Sequence, residues 1–171
     1  MSPRLLALAF VVPALAATPA LAKPSPNSAA LDAHFNSLSN ADSDACFEFD
    51  AYTAQQRIER CQAALDTLAK ARKAKKKPSK GEAANFDYEQ VTLQSGLGAA
   101  YAEIDRSLSA RVCTLMESNG TIRYRLSKLP ESEVSAKAYQ TYQNPPKEYN
   151  EIMQACRQKH GTPKGAAPIP E

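Results

Sequence analysis

VTLQSGLGAAYAEIDRSLSARVCTLM, Val91 to Met116, is the stretch whose apolar spacing decides the fold. Leu93, Leu97, Tyr101 and Ile104 recur at steps of three and four, and Leu108, Val112 and Leu115 do the same beyond a polar break at 103–107. Two amphipathic helices that close in sequence bury their stripes against each other. Gly98 costs the first arm about 1 kcal/mol relative to alanine, and close approach of the partner helix is the physical reason to keep a glycine there. The expected fold class is all-α, built from antiparallel helical hairpins.

The N-terminus decides which residues the core can draw on. Met1 to Ala22 has a single early cation, Arg4, an apolar run from Leu5 to Leu15, and small residues ending Ala20-Leu21-Ala22, the pattern of a cleaved secretory signal. A membrane anchor is the rival, but Pro13 interrupts the run and it falls short of the roughly 20 apolar residues a span needs. The expected product begins at Lys23, where no cysteine is available for lipid attachment, and is periplasmic or secreted. Without Arg4 the chain carries 20 basic against 18 acidic side chains, so it is not globally basic. Nucleic acid is excluded as a partner by that balance and by the compartment.

Four organisational units follow: the signal over 1–22, a mobile lead-in over 23–27, a helical domain over 28–161 with a basic linker near 70–85, and a disordered Pro- and Ala-rich tail over 162–171. Within the domain, Leu31, Phe35 and Leu38 mark a short helix, and Asn40 to Asp44 is a polar turn with N-cap chemistry. Thr53 and Gln56 stand at capping-box spacing before Ile58, Cys61, Leu65 and Leu68. That helix ends in KARKAKKKPSK, where Lys70, Arg72, Lys73, Lys75, Lys76, Lys77 and Lys80 lie within eleven residues. Cations suit a helix C-terminus, so a solvated helix end accounts for the run; the functional alternative is weak contact with an anionic surface. Pro78 to Asn85 reads as a linker. Ser118-Asn119-Gly120 reads as the stop of the second hairpin arm, and Thr121 to Leu129 as irregular structure. Glu131 to Tyr142 gives a further helix, and Tyr149, Ile152, Met153 and Cys156 form the stripe of the last one, which Gly161 ends.

All four cysteines, Cys46, Cys61, Cys113 and Cys156, lie in the exported part, where an even count points to two disulfides. On one straight helix Cys46 and Cys61 would stand roughly 22 Å apart. A turn near Asp50 to Thr53 brings Cys46 back onto the helix that bears Cys61, and Cys113 and Cys156, on the apolar stripes of remote helices, then tie the last helix to the central hairpin. Zinc is the rival, but the cysteines lack both C-x-x-C spacing and histidine partners. His34 has no ligand at a completing distance in sequence, and His160 at a helix end suits the dipole better than it suits catalysis. No phosphate loop, dinucleotide fingerprint, H-E-x-x-H or G-x-S-x-G occurs. The expectation is a protein that is not an enzyme and needs no cofactor or metal.

Leu97-Gly98-x-x-Tyr101, with Ala110 nine residues on, resembles the first-helix and second-helix signatures of a tetratricopeptide-type repeat; Ile58, Cys61, Ala64 and Leu65 resemble the second helix of a preceding unit. Thr114, Glu117, Gln94, Asp44 and Glu48 depart from the motif, and the basic stretch lengthens the period. The resemblance implies a stack of helical hairpins that binds a protein or peptide, with Gln94, Tyr101 and Arg111 in its groove. Over a shorter span, Gln55-x-x-Ile58-x-x-Cys61 with Cys46 upstream is similar to secreted lysozyme-inhibitor domains, which implies inhibition of an envelope-degrading enzyme instead. Asp66 and Leu68 match that family poorly.

Overall fold

The computed structural model describes residues 26–169 apart from Arg106, 131–132 and 137–146. The signal and most of the helix expected over Glu131 to Tyr142 lie outside the described residues. Six helices are described, with no strand among them: α1 Pro26–Asn36, α2 Ala41–Ala45, α3 Ala54–Ala74, α4 Lys80–Ile104, α5 Ala110–Leu126 and α6 Lys147–His160. The fold class is all-α, as the apolar periodicity requires.

Helix α4 is the axle. From Ala84 to Leu97 it buries Phe86, Tyr88, Val91 and Leu93, and also Asn85, Asp87 and Gln94, because α1, α3 and α5 all pack on it. A helix covered on several sides cannot leave its polar residues to water, so each needs a partner. Asn85 donates to the Leu31 carbonyl of α1 at 2.7 Å and to His34 Nδ1 at 3.2 Å. Asp87 pairs with Arg72 of α3 at 2.8 Å and Arg125 of α5 at 2.6 Å. From α5, Asn119 donates to the Val91 carbonyl at 2.7 Å and accepts from Arg123 at 2.9 Å. These bonds fix the rotation of each neighbour about α4, which apolar contact alone does not.

Four expectations change. The basic linker over 70–85 shrinks to 75–79, because α3 runs to Ala74 and α4 begins at Lys80. Ser79 and Glu82 form a capping box there, and Gly81 is helical because Leu31 leaves room for nothing larger, standing 2.6 Å from where a Cβ would be. Gly120 does not stop α5. It lies mid-helix where Met153 Cε and Tyr149 Oη of α6 come within 3.1 and 3.2 Å of a built Cβ, and the helix continues through Thr121 to Leu126, burying Ile122, Arg123 and Leu126. The lead-in is helical from Pro26. The tail is ordered at least to Ile169: Ala167 is buried and Ile169 packs on the cluster of Val112, Met116, Tyr149 and Met153.

Two disulfides, Cys46–Cys61 and Cys113–Cys156, account for every cysteine, with Cα separations of 4.8 and 5.3 Å. The first closes the turn from α2 into α3, where Thr53 caps α3 with the expected box. The second joins α5 to α6. Closed loops of 15 and 43 residues correspond to about 3 and 4 kcal/mol in the chain-entropy model. Loss of the second by Cys113→Ala with Cys156→Ala should therefore lower the urea midpoint more than loss of the first by the corresponding pair of substitutions.

Close packing makes a second expectation at the glycines of α4. A Cβ at Gly96 would lie 2.7 Å from the Cys46 sulfur, which its bond holds in place, whereas one at Gly98 would meet the Met116 sulfur at 2.6 Å on a flexible side chain. Gly96→Ala should destabilise by roughly 1 to 3 kcal/mol despite alanine's better helix propensity. Gly98→Ala should cost less. Urea unfolding of both variants checks the order; an unchanged Gly96→Ala midpoint would contradict the packing at the disulfide.

Candidate partner-binding groove

Helices α5 and α6 run antiparallel, and their contact can be read level by level. Cys113 is bonded to Cys156 at one end. One turn along, Arg157 grips Glu117 with both arms of its guanidinium, Nε to Oε1 at 2.7 Å and Nη2 to Oε2 at 2.9 Å. At the third level Gly120 admits Met153 and Tyr149. The Glu117 carboxylate raises the Arg157 guanidinium further above its ordinary range, hydrogen bonding being the larger cause. A bidentate pair that is mostly shielded from water is more rigid than a surface ion pair. Beyond the disulfide, the C-terminal end of α6 holds the α4–α5 turn, with Lys159 bonded to the Ser107 carbonyl and His160 Nε2 donating to the Leu108 carbonyl at 2.9 Å. Leu108 has φ +52°, a left-handed conformation costly for a leucine.

After α6 the chain doubles back. Gly161 and Gly165 have φ +80° and +78°, which suits glycine alone among these residues, and they turn the segment across the α5–α6 face. The Ala167 carbonyl accepts a hydrogen bond from Arg157 Nη2 at 2.7 Å. The same guanidinium thus holds Glu117 and the returning backbone. Beside this segment lies a groove of about 590 Å³, walled by Cys113, Glu117, Thr121 and Cys156 and by 161–166. A smaller cavity of about 240 Å³ continues past Gly120, Tyr124, Tyr149 and Pro168.

The residues expected to face a partner are divided by the fold. Tyr101 and Arg111 come together, with the guanidinium carbon 5.0 Å from the ring centroid, and Gln62 of α3 donates to the Tyr101 hydroxyl at 2.8 Å. Gln94 does not join them. It is buried on α4, because α4 is covered on more sides than one apolar stripe announces. The α5–α6 groove itself was missed: apart from Cys113 and Cys156, the helical residues that line it are small or polar and fall on no apolar stripe.

The basic run is also divided. Arg72 pairs with Asp87, Lys75 with Glu82 at 2.7 Å and Lys80 with Glu133 at 3.7 Å, so three of its seven cations stabilise the fold. Lys70, Lys73, Lys76 and Lys77 are exposed and without an ion pair among the described residues.

No family model matches the chain, and neither curated proteins nor solved structures provide a match.

Lys75 holds the Glu82 carboxyl down at about 2, with the Ser79 backbone N–H helping. A carboxylate whose folded pKa lies below its unfolded value of 4.5 contributes stability above pH 4.5, and that contribution fades as the pH falls toward 2. The difference in urea midpoint between the native chain and Glu82→Gln should accordingly be greatest above pH 5 and disappear near pH 2. A difference independent of pH would assign the effect of Glu82 to packing rather than charge.

Proposed function

We propose that the chain is an exported, non-catalytic helical protein that binds a protein or peptide partner in the cell envelope. The observation that carries this reading is the α5–α6 face. Two helices joined by a disulfide and a bidentate ion pair present a groove bordered by 161–166, and on the same face Arg157 holds the backbone carbonyl of Ala167. Disulfides persist in oxidising compartments, which agrees with the signal-like N-terminus, and among the described residues no helix is long and apolar enough to cross a membrane. The tetratricopeptide-like reading draws support from Gly98, the glycine of the L-G-x-x-Y match, where Met116 of the next helix makes its closest approach.

A second reading, inhibition of an envelope-degrading enzyme such as a lysozyme, is favoured by one feature. The turn 47–52 is anchored by Cys46–Cys61 and exposes Phe47 and Phe49, the latter 57% accessible, beside the exposed acids Glu48 and Asp50. A rigid loop with an outward aromatic fits an insertion into a partner's cleft.

Site-specific photo-crosslinking in the envelope separates the two. Crosslinkers at Thr114 and Lys164 should capture a partner that one at the exposed Ala69 does not. A muramidase captured through position 49 alone would favour the inhibitor, and equal capture at all positions would refute both.

A further inference from the structure

The segment after α6 is the clue to what the groove accepts. Open space borders this segment: about 590 Å³ between α5 and residues 161–166, and about 240 Å³ beside Pro168 and Ile169. Ala167 is fixed through its backbone carbonyl by Arg157, a bond that reads main chain and ignores side chain. Pro168 lies with Tyr124 and Tyr149 around the smaller cavity, and Tyr124 is 44% exposed. Ile169 sits on Met116, Met153, Val112 and Tyr149, of which the two methionines can adapt to other apolar side chains. Gly161 and Gly165 adopt positive φ, and the Ala166 N–H bonds to the Pro163 carbonyl at 3.1 Å within the turn.

We propose that the α5–α6 face formed by Arg157, Tyr124, Tyr149, Met116 and Met153 is a binding site for a proline-containing apolar peptide, and that Ala167–Ile169 lies on it in cis as a stand-in for that ligand. The inference rests on the peptide-binding reading above and names its ligand class. A backbone carbonyl held by a side-chain donor, a proline beside tyrosines and a following aliphatic side chain are features by which aromatic-lined grooves take proline-rich segments, whose preformed helix lowers the ordering cost. The cis segment competes at an effective concentration in the millimolar range, so a ligand in trans binds well only when the segment leaves. The disulfide and the Glu117–Arg157 pair keep the walls in place while it does.

The test uses the full chain with its cis segment weakened, Ile169→Asp and separately Ala167→Asp, and a fluorescent peptide with the sequence of residues 165–171, GAAPIPE. Faster trypsin cleavage at Lys164 reports release, and circular dichroism reports that the helices are intact. Fluorescence anisotropy should show the released variants binding this peptide at least about tenfold tighter than the native chain, as removal of an intramolecular competitor requires. The peptide GAADIPE, in which the proline corresponding to Pro168 is replaced, should bind at least about tenfold more weakly than GAAPIPE. Ile169→Asp alone carries the comparison if Ala167→Asp loses its helices. Released and folded protein that binds no tighter than the native chain, or that binds both peptides equally, overturns the proposal. Purified protein and synthetic peptide are the only components, so that failure is distinct from an absence of envelope partners in the crosslinking experiment.

Discussion

Helix α4 is enclosed, and that enclosure imposes the rest of the architecture. With α1, α3 and α5 packed on it, its buried polar side chains must be answered by those neighbours: Asn85 by α1, Asp87 by arginines from α3 and α5, and the Val91 carbonyl by Asn119. A buried donor or acceptor left without its partner costs roughly 1 to 3 kcal/mol, so every such pair selects one rotation of one helix. Hydrophobic burial brings four helices together; the polar pairs decide how they face. This is why the arginines at the ends of α3 and α5 turn inward, and why part of the basic run belongs to the fold.

The two disulfides serve different places. Helix α6 packs chiefly on α5, and its position depends on Cys113–Cys156 together with Arg157 and Gly120. Cys46–Cys61 ties the α2–α3 turn and is itself buried in the core beside Leu93 and Leu97 of α4. The strained Leu108, with Lys159 and His160 bonded to the carbonyls of its own turn, is a further consequence: the α4–α5 connection adopts the path that α6 permits.

The all-α class and most of α3, α4 and α6 were legible in the sequence because they rest on local signals, apolar steps of three and four and the Thr53–Gln56 box; the favoured cysteine pairing came from a turn before α3 and from the stripe positions of Cys113 and Cys156. Long-range packing defeated the glycines. Gly81 and Gly120 read locally as linker and stop, yet each is helical because a neighbour, Leu31 or Met153, fills the space a side chain would take. The Ser79–Glu82 box was present to correct the first of these, and Gly81 between them masked it. Gln94 failed for the same reason as the glycines, since one amphipathic stripe does not reveal how many helices will cover α4. The groove was hidden more deeply, because alanine, threonine and serine on α5 give no periodic signal at all.

A groove differs from a core in the stability of what lies inside it relative to what surrounds it. The two helices here are cross-linked covalently and by a shielded ion pair, whereas the segment after Gly165 meets them through the Arg157–Ala167 hydrogen bond and the apolar contacts of Ile169. Local opening free energies follow such contrasts, so the occupant can leave without disturbing the walls. Arg157 lies at the junction of the two regimes. Its pairing with Glu117 keeps the guanidinium oriented when the segment departs, leaving Nη2 aimed at the space an incoming backbone carbonyl would enter. A donor fixed in advance lowers the ordering cost of whatever extended chain replaces the segment.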